Sequence, residues 1–203
     1  MKSPWKQLVL LMFSALAPIP ASAQTAAPQT VSVDPALVAK ANAGDAASQV
    51  LVADSYAAGK GVARDSKQLA ADYKQAAAWY REAADQGHAG AQIHLAELYR
   101  DGMGVARDMA QAAGWYRKAA ELGDAGAQGT LGMLYSMGQG VPHDDVEAYF
   151  WFDLAAAVKG PKQEQYAANR QNIGARITAD ELAQVQERVA TWLAEHPRAG
   201  STE

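Results

Sequence analysis

The stretch GHAGAQIHLAELYRDGMGVARDMAQAAGWYRKAA, residues 87–120, recurs as GDAGAQGTLGMLYSMGQGVPHDDVEAYFWFDLAA, residues 123–156, at a constant offset of 36. Gly87 stands against Gly123, Gln92 against Gln128, Tyr99 against Tyr135, Gly104 against Gly140 and Trp115 against Trp151. An earlier copy begins at Gly44 and keeps Gln49, Tyr56, Gly59, Gly61, Val62 and Asp65 in register, while its tryptophan, Trp79, arrives seven residues late. Self-similarity at such a period marks units that cannot bury their own apolar side and must stack on their neighbours.

Each copy reads as a helical hairpin. Ala91, Leu95, Leu98 and Tyr99 are spaced i, i+4, i+7 and i+8, which puts them on one side of a first helix that stops at Gly102-Met103-Gly104. Val62, Val105 and Val141 follow the second glycine of their turns and are placed to plug the turn onto the helices. A second helix then opens on an aspartate with a capping-box spacing: Asp65 with Gln68, Asp108 with Gln111, Asp144 with Glu147. In the first copy a second box, Asp72 with Gln75, leaves two options. Either the helix starts at Asp72 after a longer loop over 66–71, or it starts near Asp65 and gains two turns, which rotates Trp79 by only about 20°. Both options point Trp79 inward.

Working outward, Asp34-Pro35 supplies an N-cap and a first-turn proline for a capping helix over 34–43. Lys162 to Arg176 and Thr178 to His196 show helical periodicity without the turn motif, so 157–196 reads as C-terminal capping helices. Thr178 caps with Glu181, and Leu182, Val185, Val189 and Trp192 form a stripe at i, i+3, i+7 and i+10. The expected architecture is all-α, an α/α superhelix of three hairpin repeats (44–84, 87–120 and 123–156) between terminal caps. Residues 24–33 read as a flexible leader and 197–203 as a fraying tail.

Lys2 and Lys6, the apolar run Leu8 to Ala17 and the small residues Ala21-Ser22-Ala23 predict a signal peptide over 1–23, cleaved before Gln24. The run is shorter than the roughly 20 residues a bilayer requires, so no stable membrane insertion is expected after cleavage, and the chain is expected in the periplasm or secreted. Removing those two lysines from the 18 basic residues leaves 16 against 22 acidic ones, a net charge of about −6, which argues against nucleic acid as a partner. The absence of cysteine excludes disulfides, thiolate zinc sites and a cysteine nucleophile. With 3 Phe and an apolar share that is mostly alanine, the interior must come from closely packed helices rather than a β-sandwich core.

Through Ala-Gln-x-x-Leu, Leu-Tyr-x-x-Gly-x-Gly-Val and Trp-Tyr-Arg-Lys-Ala-Ala, the chain resembles the Sel-one-like repeat family, a relative of tetratricopeptide repeats, over residues 44–156. The resemblance implies a superhelix whose first helices line a concave face that holds other proteins, in adaptors of signalling or envelope assembly. Departures are local: Ser48 replaces alanine and Ser55 replaces leucine in the first copy, and Phe150 and Phe152 flank the tryptophan of the third.

Chemistry is sparse. The Gly-x-Gly turns recur at the repeat offset with no preceding strand or partner Lys-Thr, which favours turns over phosphate cradles. His94 and Glu97 are three apart on a predicted helix, but nothing supplies a third metal ligand at fixed spacing, so neither metal nor cofactor is expected. No serine sits in a Gly-x-Ser-x-Gly elbow or Ser-x-x-Lys context, and no carboxylate pair is left after capping, so no catalytic residue is assigned. The leading expectation is a non-catalytic binding adaptor. Behind it stand a binder of envelope polymers, peptidoglycan or exopolysaccharide, and then a weak β-lactamase-like hydrolase, which relatives of the family suggest although this chain lacks their cysteines.

What varies between copies is where packing constrains least. Equivalent positions hold Leu51, His94 and Thr130, then Asp54, Glu97 and Met133, then Ala57, Arg100 and Ser136. Spaced three apart on the first helices, they form a strip across the array. The candidate docking residues are Leu51, Asp54, His94, Glu97, Arg100, Thr130 and Met133, with Leu51 and Met133 giving apolar anchorage and Asp54, Glu97 and Arg100 selecting charge. The tryptophans, at a constant repeat position before small Ala-Ala pairs, read as core rather than as a sugar-stacking ladder. Truncating Trp79, Trp115 or Trp151 to alanine is therefore expected to cost ~3–5 kcal/mol of unfolding free energy in urea; a loss below about 1 kcal/mol would mean a solvated indole.

Overall fold

The computed structural model describes residues 32–58 and 66–196, and every regular element among them is an α-helix. In chain order these are α1 (Pro35–Asn42), α2 (Ala46–Ala58), α3 (Ser66–Asp85), α4 (Ala89–Asp101), α5 (Met109–Glu121), α6 (Ala125–Met137), α7 (Asp145–Ala156), α8 (Gln163–Gly174) and α9 (Ala179–Glu195). The expected signal peptide, residues 24–31 of the leader, the first turn with Gly59, Gly61, Val62 and Asp65, and the tail 197–203 lie outside the described residues.

The helices start and stop where the local chemistry directs. Asp108 accepts from the N–H groups of Ala110 and Gln111 at 2.9 and 3.0 Å, and Asp144 from Glu147 N–H at 2.9 Å. Asp124 accepts from Ala127 N–H at 2.8 Å, and at the matching place in α4 the ring Nδ1 of His88 does the same for Ala91 at 3.3 Å. The reciprocal half of the box is formed at Thr178, whose N–H donates to Glu181 at 2.8 Å. Glu147 gives its carboxylate to Arg188 of α9 instead, at 2.7 Å.

Helix α3 settles the choice left open for the first copy. It runs unbroken through 66–71, because the inserted SKQLAA holds good helix formers and neither glycine nor proline to stop it. Asp72 is thus no N-cap: it lies inside the helix, 4% exposed, and accepts from Gln68 Nε2 at 3.0 Å. The added turns do not carry Trp79 fully inward; it is half-buried, whereas Trp115 and Trp151 are 6% and 4% exposed.

Consecutive helices from α1 to α8 pack in series, and α9 folds back onto α7. Alanines such as Ala83, Ala91, Ala119 and Ala127, each 0–1% exposed, let the helices approach closely, and Trp115, Tyr116, Trp151 and Phe152 fill the remaining space. One polar bond repeats at every junction. Nε2 of Gln49, Gln92 and Gln128 donates to the carbonyl of Ala41, Ala84 and Ala120 respectively, each at 3.1 Å and each eight residues back. Those carbonyls lie in the last turn of the preceding helix and also accept, at 3.0 Å, from Gly44, Gly87 and Gly123, the glycines that open each repeat. Gln163 makes a fourth such bond, to Ala156 at 3.1 Å but seven residues back, so α8 stacks like the first helix of a further, irregular repeat. Its Tyr166 ring fills the place where a side chain on Gly129 would stand.

The turns dock by backbone contact. Gly104 and Gly140, at φ +70° and +72°, sit so close to the preceding repeat's second helix that a Cβ would overlap the Tyr73 and Met109 carbonyls. Positive φ and missing space act together there. Gly140→Ala is expected to lower unfolding free energy by at least ~2 kcal/mol. Gly114→Ala on the exposed side of α5, where nothing lies within 4 Å, should instead raise it by about 0.5–1 kcal/mol. Urea unfolding of both variants checks the contrast; equal effects would remove the backbone-contact account.

Candidate functional site

The seven strip residues fall into two groups and an outlier. At the first junction Tyr80, projecting from α3, is 3% exposed and donates its hydroxyl to Asp54 Oδ1 of α2 at 2.6 Å. Its ring lies 5.0 Å from that of His94 on α4, and His94 Nδ1 is 3.3 Å from Glu97 Oε2. Three of the seven are thus gathered at one buried phenol, Asp54 accepting its hydroxyl and His94 pairing with Glu97 beside it. Burial and the Asp54 bond drive the Tyr80 phenol far above its ordinary value, so it remains a donor at any physiological pH.

At the second junction Arg100, Thr130 and Met133 line a groove of about 480 Å³ between α4 and α6. Arg100 is committed internally: Nε and Nη2 reach the two carboxylate oxygens of Asp101 at 2.8 Å each, and Nη1 donates to Tyr116 OH at 3.2 Å. The Asp101 bond holds the guanidinium above its ordinary value and the carboxyl below its own. Tyr116 is pushed up to about 12, chiefly by burial. Leu51, 53% exposed on α2, lines neither group.

Sequence reasoning missed the second-helix contributors. Tyr80 and Tyr116 occupy one repeat position, directly after the tryptophan, and that periodicity was a usable signal; the third copy has Phe152 there, packed on Gly132. Arg107, Met109 and Gln139, which also line the groove, come from turns and a helix start and carry no periodic mark. Among the described residues no group of three or more His, Asp or Glu is arranged to hold a metal.

The first-junction cluster is pH-sensitive. The hydrogen bond to Glu97 raises the His94 imidazole above its ordinary 6.5 against the opposing effect of burial, with the charges of Glu97 and Asp54 adding to the rise. A folded value above the unfolded one makes the contribution fully present below the unfolded value and lost as pH rises through the folded one. The Tm difference between the parent and His94→Gln is therefore expected to be larger at about pH 5.5 than at about pH 8; a difference that does not change with pH would detach His94 from Glu97.

Comparison with known proteins accords with this geometry. The Sel1 repeat model matches residues 46–88, 89–124 and 125–157, which are the three hairpins. A Sel1 repeat protein from Oxalobacter formigenes is 32% identical, with a TM-score of 0.56 over 68% of this chain and 96% of its own. A protective antigen of uropathogenic Escherichia coli strains, described as displaying an SLR fold, is 28% identical, with a TM-score of 0.55 over 82% of this chain but 44% of its own. No curated protein matches. Three matched units, stacked through the same glutamine, glycine and tryptophan positions, place this chain in the Sel1 repeat family.

Proposed function

We propose that the chain is an exported, non-catalytic adaptor that takes protein partners on the face formed by the first helices α2, α4 and α6. Sel1 repeat proteins generally serve as protein-interaction scaffolds, and the family supports that much directly. The observation that carries the reading further is the uncovered apolar surface on that face, where Leu51 is 53% exposed, Met133 37% and Met137 57%; the other large apolar groups as open among the described residues, Leu69 and Leu122, belong to α3 and to the end of α5. Exposed large apolar groups beside fixed polar ones suit a docking surface.

A sugar-stacking ladder finds no support, since Trp115 and Trp151 are buried and Trp79 half-buried. Export rests on the signal-like segment 1–23, and no helix among the described residues is long and apolar enough to cross a membrane. The test is a photo-crosslinking amino acid at position 133, compared with one at position 114 on the exposed side of α5, in the chain expressed in its own cells. The expected result is a chain beginning at Gln24 in the envelope fraction, with discrete protein adducts from position 133 and none from position 114. Identical adducts from both positions, or none from either, would end the docking-face reading, and retention of residues 1–23 would end export.

A further inference from the structure

The groove at the second junction differs from its counterpart at the first in a way that selects a ligand. At the first junction the positions equivalent to Arg100, Thr130 and Met133 are Ala57, His94 and Glu97. There the polar groups already satisfy one another: Asp54 holds Tyr80, Tyr80 lies against His94, and His94 pairs with Glu97. A partner would have to break those bonds before making its own. At the second junction Met133 replaces the carboxylate of Glu97 and stands open to solvent, with buried Leu134 and half-buried Met109 beside it and Met137 one turn further on. Unbranched thioether side chains adapt to apolar groups of several shapes.

The same groove holds two guanidiniums against one carboxylate. Arg100 bonds directly to Asp101, whose carboxyl also feels the charge of Arg107, but Arg107, exposed at the groove edge, makes no direct ion pair among the described residues. It is nevertheless held in place. Its Nε donates to the Arg100 carbonyl at 3.0 Å, and the next residue, Asp108, donates its N–H to the Tyr99 carbonyl at 2.9 Å. The left-handed turn at Gly102 brings the chain back so tightly that a Cβ there would lie 3.1 Å from Arg107 Cβ. With Nε occupied, the two terminal nitrogens remain for an acceptor, and a fixed guanidinium fork suits a carboxylate while losing little freedom on binding. Counting Asp101, the groove carries a net positive charge on a chain whose overall charge is −4.

We infer that this groove binds an internal, extended segment of a partner protein in which an Asp or Glu side chain stands next to an aliphatic one, the carboxylate on Arg107 and the aliphatic group over Met109, Met133 and Leu134. The inference rests on the protein-binding reading and narrows it to one junction and one ligand chemistry. A basic segment would meet Arg107 with like charge, and a purely apolar one would leave the guanidinium half desolvated and unpaired.

The test is selection of a phage-displayed random heptapeptide library, which presents no free peptide C-terminus, on the immobilised chain from Gln24. Selected sequences are then made as C-terminally amidated peptides and measured by fluorescence anisotropy. The expected result is enrichment of Asp or Glu beside Leu, Ile, Met or Phe, with binding weakened about tenfold or more by Arg107→Glu and by Met133→Glu. Selection on Arg107→Glu should turn the preference to Lys or Arg. Arg107→Gln, which keeps a polar stem without the charge, separates loss of the ion pair from damage to the turn, and circular-dichroism melts confirm that each variant is folded. Enrichment of basic or uncharged sequences, or acidic binders indifferent to both substitutions, would overturn the groove while leaving a protein-binding role intact. No enrichment over bare support would overturn the groove, and an absence of crosslinked partners at position 133 as well would overturn the adaptor reading itself.

Discussion

A buried glutamine amide crossing each boundary between repeats is the bond on which the remaining geometry depends. A hairpin made of alanine-rich helices has no centre of its own; its apolar side is closed only by the next hairpin, and alanine surfaces are smooth enough to slide. The Nε2 groups of Gln49, Gln92 and Gln128 remove that freedom by reaching one specific carbonyl each, in the last turn of the helix before. The donors are almost wholly buried, at 2%, 4% and 0% exposure, so a slip of one residue would leave an amide without its acceptor in a dry interface. A neutral hydrogen bond contributes only about 1 kcal/mol. Its value here is register rather than strength.

Once the register is set, neighbouring features fall into line. Arg81 and Arg117, a repeat apart, each reach forward to the tyrosine hydroxyl of the next first helix, Tyr99 and Tyr135. At the third boundary the polarity inverts: Asp153 occupies the arginine position and accepts from Arg170 of α8 at 2.5 Å. The exchange keeps a charged bond across the boundary while α8 departs from the repeat pattern. Arg176 to Asp145 at 2.9 Å and Arg188 to Glu147 at 2.7 Å tie the turn after α8, and α9 itself, to α7 in the same manner. These pairs are partly exposed and worth at most about 1 kcal/mol each, so Val185 and Val189, buried against the array, hold α9 more firmly than its arginines do.

The first-helix face shows how a regular scaffold acquires an individual surface. Identical backbone positions are occupied by mutually satisfied polar groups at one junction and by open methionine and arginine side chains at the next. The first is closed by its own hydrogen bonds, the second left with capacity for a partner's. The difference lies in three substitutions on the first helices and in a buried tyrosine that finds a carboxylate at one junction and an arginine at the other.

The sequence alone determined the repeat count, the helical class, the glycine turns and the aspartate caps, because each rests on neighbours within a few residues or on a fixed offset. It also marked Leu51, Thr130 and Met133 as free to vary, since positions that escape packing escape the period. It left undecided whether 66–71 was loop or helix, since Asp65 and Asp72 carry equally good local cap signals; in the structure 67–71 continue α3 while staying mostly exposed, so helix propensity rather than packing carries the segment. Whether a strip residue faces a partner or a neighbour was decided only in three dimensions. Asp54 reads locally as an exposed helix charge, yet it is held by a tyrosine 26 residues away. Arg107 reads as turn filler, yet it stands at the edge of a groove floored by Met133 and Leu134 of the following repeat. Those pairings join residues from different helices, and the distances between them exist only once the hairpins have stacked.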